Sequence, residues 1–369
     1  MADKKLKIIL SGGGTGGHIY PAVAVAEALK RKLGGNVELL FVGALGKMEM
    51  EKVPALGYRI VGLPVAGLQR RLDPRNLMLP FKVIRSQHQA RKAVREFGAD
   101  ASAGFGGYAS MPVLRVSQRM GIPTLIQEQN SYAGITNKML AKKADRICVA
   151  YDGMERFFPK EKLVYTGNPL RGNFSCECSR GEALRYFGLR EGRKTILIVG
   201  GSLGTRTLNN AMKRWAADIA SRDDVQVIWQ TGKYYEQEMA EFMSGIDSSN
   251  IWYGAFIDRM DYAYTAADVV VSRSGACTVS ELCLAGKAVI FVPSPNVAED
   301  HQTKNAMALV DKGAALMVKD TEAVEKVIPD ALTLLDDEKI LTELAGNIKK
   351  LAISDSADRV ATEIIALIK

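Results

Sequence analysis

Leu6-Lys-Ile-Ile-Leu10 runs straight into Ser11-Gly-Gly-Gly-Thr-Gly-Gly-His18-Ile-Tyr-Pro21, and small apolar residues at helical spacing follow at once in Ala22-Val-Ala-Val-Ala-Glu-Ala-Leu29. An apolar run this short and this abruptly ended reads as a buried strand. Strand, glycine loop and helix in that order open a β-α-β unit, which commits the chain to a parallel sheet covered by helices. Pro21 suits the first turn of the helix, where its missing N–H costs nothing. The glycines offer backbone N–H groups, and the helix its positive end, to an anion in the mouth of the loop. His18 sits in that mouth and exchanges protons near neutrality. It is a catalytic or ligand-contacting candidate, weighed against a histidine that merely caps the helix.

Gly12, Gly14 and Gly17 also match the G-x-G-x-x-G spacing of a dinucleotide site. Such a site wants an acid at the end of the second strand to hold the ribose hydroxyls. The second strand, Val37–Val42, ends in Gly43-Ala44-Leu45, and its one acid, Glu38, lies near the wrong end. A nicotinamide or flavin is therefore disfavoured, and no cofactor is expected.

Strand-like and helical runs alternate along the whole chain. In the first half the strands are expected at Leu6–Leu10, Val37–Val42, Arg59–Leu63, Ala99–Ala103, Thr124–Gln127 and Arg146–Ala150. Thr195-Ile-Leu-Ile-Val199 then enters Gly200-Gly-Ser-Leu-Gly204, repeating the opening unit, with further strands at Val225–Gln230, Ile251–Phe256, Val269–Ser272 and Ala288–Val292. The near-repetition predicts an α/β chain of two Rossmann-like doubly wound domains facing a cleft, with a ligand at the carboxyl ends of the strands. The expected division is residues 1–166, a linker at 167–172, and 173–353. A final helical segment, 354–369, with its N-cap in Ser354 or Asp355, has the pattern to pack back on the first domain.

With 369 residues, 47% apolar and 24% charged, the composition is that of a soluble globular protein. Lys4, Lys5 and Lys7 border an apolar stretch too short for a secretory signal, and no run approaches the roughly 18 apolar residues of a membrane span. Five cysteines, an odd number, suggest reduced thiols. Cys176-Glu-Cys178 has His18, His88 and His301 all far away in sequence, so no metal is expected.

The net charge of +8 favours an anionic partner. Between Gln69 and Glu96 lie Arg70, Arg71, Arg75, Lys82, Arg85, Arg91, Lys92 and Arg95, against only Asp73 and Glu96 as acids, interleaved with Leu77, Met78, Leu79, Phe81, Val83 and Ile84. One reading is an amphipathic helix with its basic face in water. The other is a patch, Arg70, Arg71, Arg75, Leu77, Leu79, Phe81, Lys82 and Arg85, that dips apolar side chains into an anionic membrane surface. Nucleic acid is disfavoured, since aromatic stacking platforms are scarce here.

Four further places put polar groups where strands end: Gly104-Phe-Gly-Gly-Tyr-Ala-Ser110, Gln127-Glu-Gln-Asn130, Ser272-Arg-Ser-Gly-Ala-Cys-Thr-Val-Ser-Glu281 and Pro293–Asn305. The third starts a helix whose N–H groups can hold phosphate oxygens, with Glu281 placed to accept from ribose hydroxyls. The plain alternative for Glu281 is compensation of the helix dipole. Two anion-ready loops with amides and hydroxyls nearby suggest a nucleotide-sugar.

Taken in order, Gly13-Gly-Thr-Gly-Gly-His18, Gly106-Gly-Tyr108, Glu128-Gln-Asn130, Thr166-Gly-Asn-Pro169, Gly200-Gly-Ser202, Ser274-Gly-Ala276 with Thr278 and Glu281, and His301-Gln-Thr-Lys-Asn305 resemble the MurG family, bacterial N-acetylglucosaminyltransferases of glycosyltransferase family 28. The resemblance spans almost the whole chain. It implies a two-domain GT-B fold and metal-independent, inverting transfer of GlcNAc from UDP-GlcNAc to the undecaprenyl-diphosphate-linked muramyl-peptide lipid I, giving lipid II for peptidoglycan. It also implies a peripheral position on the cytoplasmic face of the bacterial inner membrane. Residue by residue, it places Gly13, Gly14, Gly106, Gly107 and Tyr108 on the acceptor side, and Thr15, Gly16, Gly17 and Asn130 toward the donor. Arg171 and Ser202 would lie near uridine and phosphates, the Ile257 backbone at uracil, Ala276, Cys277 and Thr278 at the diphosphate, Glu281 at ribose and Gln302 at the GlcNAc hydroxyls, with Val279 and Ser280 also among the donor-binding residues. The family often has a second glutamine where this chain has His301.

An inverting transfer needs a base for the acceptor hydroxyl, and helix N-termini can stabilise the leaving diphosphate where no Asp-x-Asp holds a metal. His18 is the candidate base, with Glu128 as an alternative or as the group orienting it. A sugar-nucleotide epimerase of the same fold and a non-catalytic nucleotide-sugar-binding module remain the competing readings.

Overall fold

The computed structural model describes residues 5–65, 79–171 and 178–368. They form two compact units, Met1–Gly172 with Ile353–Lys369, and Asn173–Ala352.

In the first unit the chain runs through β1 (Leu6–Ser11), α1 (Gly16–Leu33), β2 (Val37–Ala44), α2 (Glu49–Ala55), β3 (Ile60–Leu63), α3 (Leu79–Phe97), β4 (Ala101–Gly104), α4 (Ser110–Arg119), β5 (Thr124–Glu128), α5 (Ile135–Ala141), β6 (Arg146–Val149) and β7 (Leu163–Tyr165). The strands form one parallel sheet in the order β3-β2-β1-β4-β5-β6-β7, with Ile8 beside both Leu39 and Ala101. Because strand side chains alternate between faces, β1 feeds two cores. Ile8 and Leu10 pack with α1, and Ile9 packs with Ala90 and Val94 of α3 and with Leu114 of α4.

The second unit contains α6 (Arg180–Tyr186), β8 (Lys194–Val199), α7 (Arg206–Ala220), β9 (Val225–Gln230), α8 (Glu236–Met243), β10 (Ile251–Gly254), α9 (Met260–Ala266), β11 (Val269–Ser272), α10 (Ala276–Ala285), β12 (Ala288–Phe291), α11 (His301–Val310), β13 (Leu316–Met317), α12 (Ala323–Asp336) and α13 (Glu338–Lys350). Its sheet, also parallel, has the order β10-β9-β8-β11-β12-β13. Ile196 and Ile198 pack with Leu208 and Met212 of α7 and with Val327 and Ile328 of α12. The buried Trp229 indole N–H donates to Asn209 Oδ1 at 3.0 Å.

The chain then returns to the first unit as α14 (Ser356–Ala366), whose Val360, Ala361 and Ile364 share a core with α1. Arg31 pairs with Asp358 at 3.1 Å across the same contact. In each sheet the strand order reverses once, between β1 and β4 and between β8 and β11. Ligands of doubly wound sheets bind at such switch points, outside the carboxyl ends of the strands.

Several expectations change. Helix α1 begins at Gly16, so Pro21 lies inside it and not in its first turn. There its ring removes the N–H that would have bonded the Gly17 carbonyl. Cys148, Cys277 and Cys283 are free thiols, whereas Cys178 is disulfide-bonded. Arg70, Arg71, Arg75 and Leu77 of the basic segment lie outside the described residues, as do the side chains of Leu79, Phe81 and Lys82. The rest of α3 is two-faced: Ala90 and Val94 are fully buried, while Val83 and Ile84 are exposed beside the exposed Arg85. Among the described residues no helix is long and apolar enough to cross a membrane.

Candidate active site

At the switch point of the first unit, Thr15 is extended (φ −148°, ψ 156°) and caps α1. Its carbonyl accepts from the N–H groups of His18 and Ile19 at 3.1 and 3.3 Å. Gly16 and Gly17 begin the helix, so their N–H groups have no intrahelical acceptor. The His18 ring turns back on the loop, with Nδ1 3.0 Å from the Gly13 carbonyl and 3.2 Å from Thr15 Oγ1. A carbonyl oxygen can only accept, so Nδ1 carries the hydrogen. The basic lone pair of the neutral ring is thereby placed on Nε2.

The loop after β4 packs against this one. Gly106 and Gly107 have φ of 85° and 76°, a region that disfavours side chains. A Cβ on Gly106 would lie 3.0 Å from His18 Nε2, and one on Gly107 would collide with the Gly13 carbonyl. Gly13, Gly14, Gly106, Gly107 and His18 thus form one cluster, with Tyr108 58% exposed at its edge.

Sequence reasoning missed the carboxylate beneath it. Glu49, 1% exposed at the start of α2, accepts from Ala44 N–H at 2.9 Å and from Gly14 N–H at 3.1 Å. Gly14 N–H, expected to face an incoming anion, is therefore already held by an anion of the protein. The available signal was an acid set shortly after Gly43 and Ala44, where α2 follows β2.

Glu128 is also a bracket. It is 2% exposed at the end of β5 and accepts from Asn130 N–H (3.1 Å), Asn130 Nδ2 (3.3 Å), Gly134 N–H (2.9 Å) and Asn137 Nδ2 (2.8 Å). Gln129 Nε2 donates to the Phe105 carbonyl at 2.9 Å. Of the four polar residues Gln127–Asn130, three are buried supports, and Asn130 alone retains exposure. Arg171 pairs with Glu27 of α1 at 3.4 Å.

In the second unit the loop after β8 is shaped by Gly201 and Gly204 (φ 83° and 81°) and by Thr205 Oγ1 donating to the Gly200 carbonyl at 2.8 Å. Ser202 is exposed at its tip. Gln230, also missed from sequence, ties this loop to the next: its Nε2 donates to the Gly201 carbonyl at 2.9 Å, and its Oε1 accepts from Ile257 N–H at 3.1 Å.

After β11, Gly275 caps α10, and the first-turn N–H groups of Ala276, Cys277 and Thr278 lie at its positive end. Val279 does not belong with them. Its side chain is 2% exposed and its N–H already donates to the Gly275 carbonyl at 2.9 Å. Ser280 Oγ donates back to the Ala276 carbonyl at 3.1 Å.

Burial pushes the Glu281 carboxyl up to about 7, against a weaker opposing pull from the Tyr264 hydroxyl, which donates to Oε2 at 3.4 Å. Burial, aided by the Glu281 charge, pushes the Cys277 thiol up to about 12, so it is no thiolate nucleophile at neutral pH. Gln302 Oε1 accepts from Ser294 N–H at 2.9 Å, and its carbonyl accepts from Ser274 Oγ at 2.8 Å. Just before it, Glu299 and Asp300 are held at φ of 55° and 53°, strain of the kind that collects at ligand sites. Among the described residues no three His, Cys, Asp or Glu side chains come together as metal ligands.

The model of the glycosyltransferase family 28 N-terminal domain matches residues 8–149, and that of the C-terminal domain matches residues 195–360. The chain belongs to glycosyltransferase family 28. The two family 28 matches begin in β1 and β8, so each takes in one switch-point glycine loop. A curated relative from Parabacteroides distasonis, 52% identical with 99% of each chain covered, is named UDP-N-acetylglucosamine--N-acetylmuramyl-(pentapeptide) pyrophosphoryl-undecaprenol N-acetylglucosamine transferase. The crystal structure of Acinetobacter baumannii MurG is 28% identical and superposes with a TM-score of 0.79 over 98% of this chain and 99% of its own. A putative UDP-N-acetylglucosamine 2-epimerase from Listeria monocytogenes, 14% identical, also superposes, with a TM-score of 0.67 over 98% of this chain and 96% of its own. That likeness is one of fold alone, so architecture by itself does not separate transferase from epimerase.

Proposed function

We propose that this family 28 enzyme transfers N-acetylglucosamine from UDP-GlcNAc to the muramyl sugar of lipid I, an undecaprenyl-diphosphate-linked muramyl-peptide, releasing UDP and lipid II. The name of the half-identical relative supports both substrates. The observation that carries the chemistry is the His18 ring: Nδ1 is committed to the Gly13 carbonyl, so Nε2 is the atom that takes a proton. As the acceptor oxygen attacks the anomeric carbon, its proton passes to Nε2 and the bond to UDP breaks on the opposite side, inverting that carbon. Glu128, with four N–H donors on its carboxylate, orders the Asn130 loop, and the base role falls to His18.

In the second unit the N–H groups of Ala276, Cys277 and Thr278 and the positive end of α10 take up the charge that develops on the departing diphosphate, without a cation. Glu281 accepts from the ribose hydroxyls, the Ile257 backbone meets uracil, and Ser202 and Arg171 lie along the uridine and phosphates. Gln302 and Asn130 bind the GlcNAc hydroxyls. Thr15, Gly16 and Gly17 present the N-terminus of α1 to the donor, and Tyr108 with Gly106 and Gly107 shapes the acceptor side. No cofactor or nucleic acid takes part.

The isoprenoid tail of lipid I stays in the bilayer, so the enzyme works at an anionic membrane surface, peripherally, on the cytoplasmic face of the inner membrane. The exposed Val83 and Ile84 beside Arg85 support a docking face on α3. Incubation with labelled UDP-GlcNAc and a lipid-diphosphate acceptor tests the reading. Label in the lipid product with release of UDP is expected. A UDP-sugar epimer as the product, or binding without turnover, would overturn it.

A further inference from the structure

The Gly13 carbonyl that holds His18 and the Gly14 N–H that Glu49 holds belong to the same peptide group. Among the described residues no peptide bond is cis, so this C=O and N–H point in opposite directions. Glu49 Oε2 lies 3.1 Å from Gly14 N at one end, and His18 Nδ1 lies 3.0 Å from Gly13 O at the other. Glu49 is 1% exposed, its second oxygen is fixed by Ala44 N–H at 2.9 Å, and a Cβ on Gly13 would collide with its carboxylate. The alignment therefore depends on glycine at 13 and on φ of 87° at Gly14.

We propose that Glu49 is a positioning residue that acts on His18 through the Gly13–Gly14 peptide, fixing its tautomer and raising its basicity. A carboxylate on the N–H end of a peptide draws electron density toward the carbonyl oxygen, and hydrogen bonds in such a chain strengthen one another. The carbonyl becomes a better acceptor for Nδ1–H and favours the imidazolium that forms when Nε2 takes the acceptor proton. Nδ1–H stays in place throughout, and no second proton moves. The arrangement serves the purpose of a carboxylate bonded directly to a histidine, with one peptide group inserted between them. The elements around the loop also carry Lys7 on β1, Tyr20, Glu27, Lys30, Arg31 and Lys32 on α1, Glu38 on β2 and Glu51 and Lys52 on α2, with Tyr108 and Glu128 on the neighbouring loops, the last already bonded by four donors. The inference rests on His18 being the base, but its test does not depend on activity alone.

The chain has three histidines, so ¹⁵N-histidine spectra are simple and His18 is assigned by its loss in His18→Gln. In the wild type the Nδ1–H tautomer should dominate. Glu49→Gln keeps the shape but presents an amide to one of the two N–H donors. It should mix the tautomers, move the His18 midpoint to lower pH and lower kcat roughly tenfold, short of the about 10²–10⁴-fold cost of losing a base. KM for UDP-GlcNAc should hold. A loss of activity with unchanged His18 nitrogen shifts and midpoint would make Glu49 a mere brace and overturn the proposal.

If Glu49→Gln does not fold, the wild type decides. The Gly14 amide proton shift should follow the His18 titration, and a flat response refutes the link. Full activity in His18→Gln would instead remove His18 as the base, an outcome read from activity and so distinct from the Glu49–His18 link, which the spectra read.

Discussion

Replacing Glu281 by Gln should make the second unit more stable and the enzyme worse. Burial raises this carboxyl from 4.5 to about 7, so the folded protein binds its proton more tightly than the unfolded chain does. The stabilisation from that bound proton is complete below about pH 4.5 and is lost as pH rises through about 7. At about 1.4 kcal/mol per pH unit the gap corresponds to a ceiling of about 3 kcal/mol. Glu281 keeps some exposure, and solvent screening trims the expected gain to roughly 1–3 kcal/mol.

Gln cannot ionise. Its advantage should therefore be largest near pH 8.5 and vanish near pH 4.5. Trp215, Trp229 and Trp252 are the only tryptophans and all lie in the second unit, so their fluorescence in a urea titration reports that unit alone. UDP affinity, measured by calorimetry at pH 8, should fall, because Gln offers one acceptor oxygen where the carboxylate offers two. Full removal of the side chain in Glu281→Ala should cost about 1.5–3 kcal/mol. A stability difference that ignores pH would refute the burial argument. A stabilised variant with unchanged UDP affinity would take Glu281 out of the site.

His18→Ala should lower kcat by about 10²–10⁴-fold with UDP affinity nearly intact, and a loss under about tenfold would return the base role to Glu128 or to water. If the N-terminus of α10 meets the diphosphate as proposed, transfer should persist in excess EDTA; activity that disappears and returns with magnesium would contradict this. Converting Arg70, Arg71, Arg75 and Lys82 to Glu should release the protein from anionic vesicles, each cation being worth about 1 kcal/mol near such a surface. Activity on a short water-soluble acceptor should survive, and equal loss on both acceptors would mean that the segment does not dock.

The two parallel sheets were legible because their central strands are buried on both faces and so appear as uninterrupted apolar runs, as in Ile8–Leu10 and Val269–Val271. Strands β7 and β13 were not. Leu163–Tyr165 and Leu316–Met317 are short edge strands, half-wet, with too few residues to show a period. The glycine loops announced themselves by composition, and His18 by its place in one. What composition could not show was which polar groups satisfy one another. Gln127, Glu128 and Gln129 resembled a ligand-facing row, yet burial turns them inward to hold backbone. Glu49 and Gln230 looked ordinary because their importance lies in which main-chain N–H they meet, a matter of tertiary contact. Val279 sat in a run of site residues, but the helical period takes it to the core.

The return of the chain as α14 bears on the order in which the molecule can be made. Every residue of the second unit is synthesised before Val360, Ala361 and Ile364, which are 0–1% exposed in the core beside α1. On the ribosome the unit started first is therefore finished last. It must wait with one flank of α1 uncovered while an entire second sheet emerges and folds. Cutting the chain after Ala352 would leave the second unit its full sequence and deprive the first of the helix that seals it.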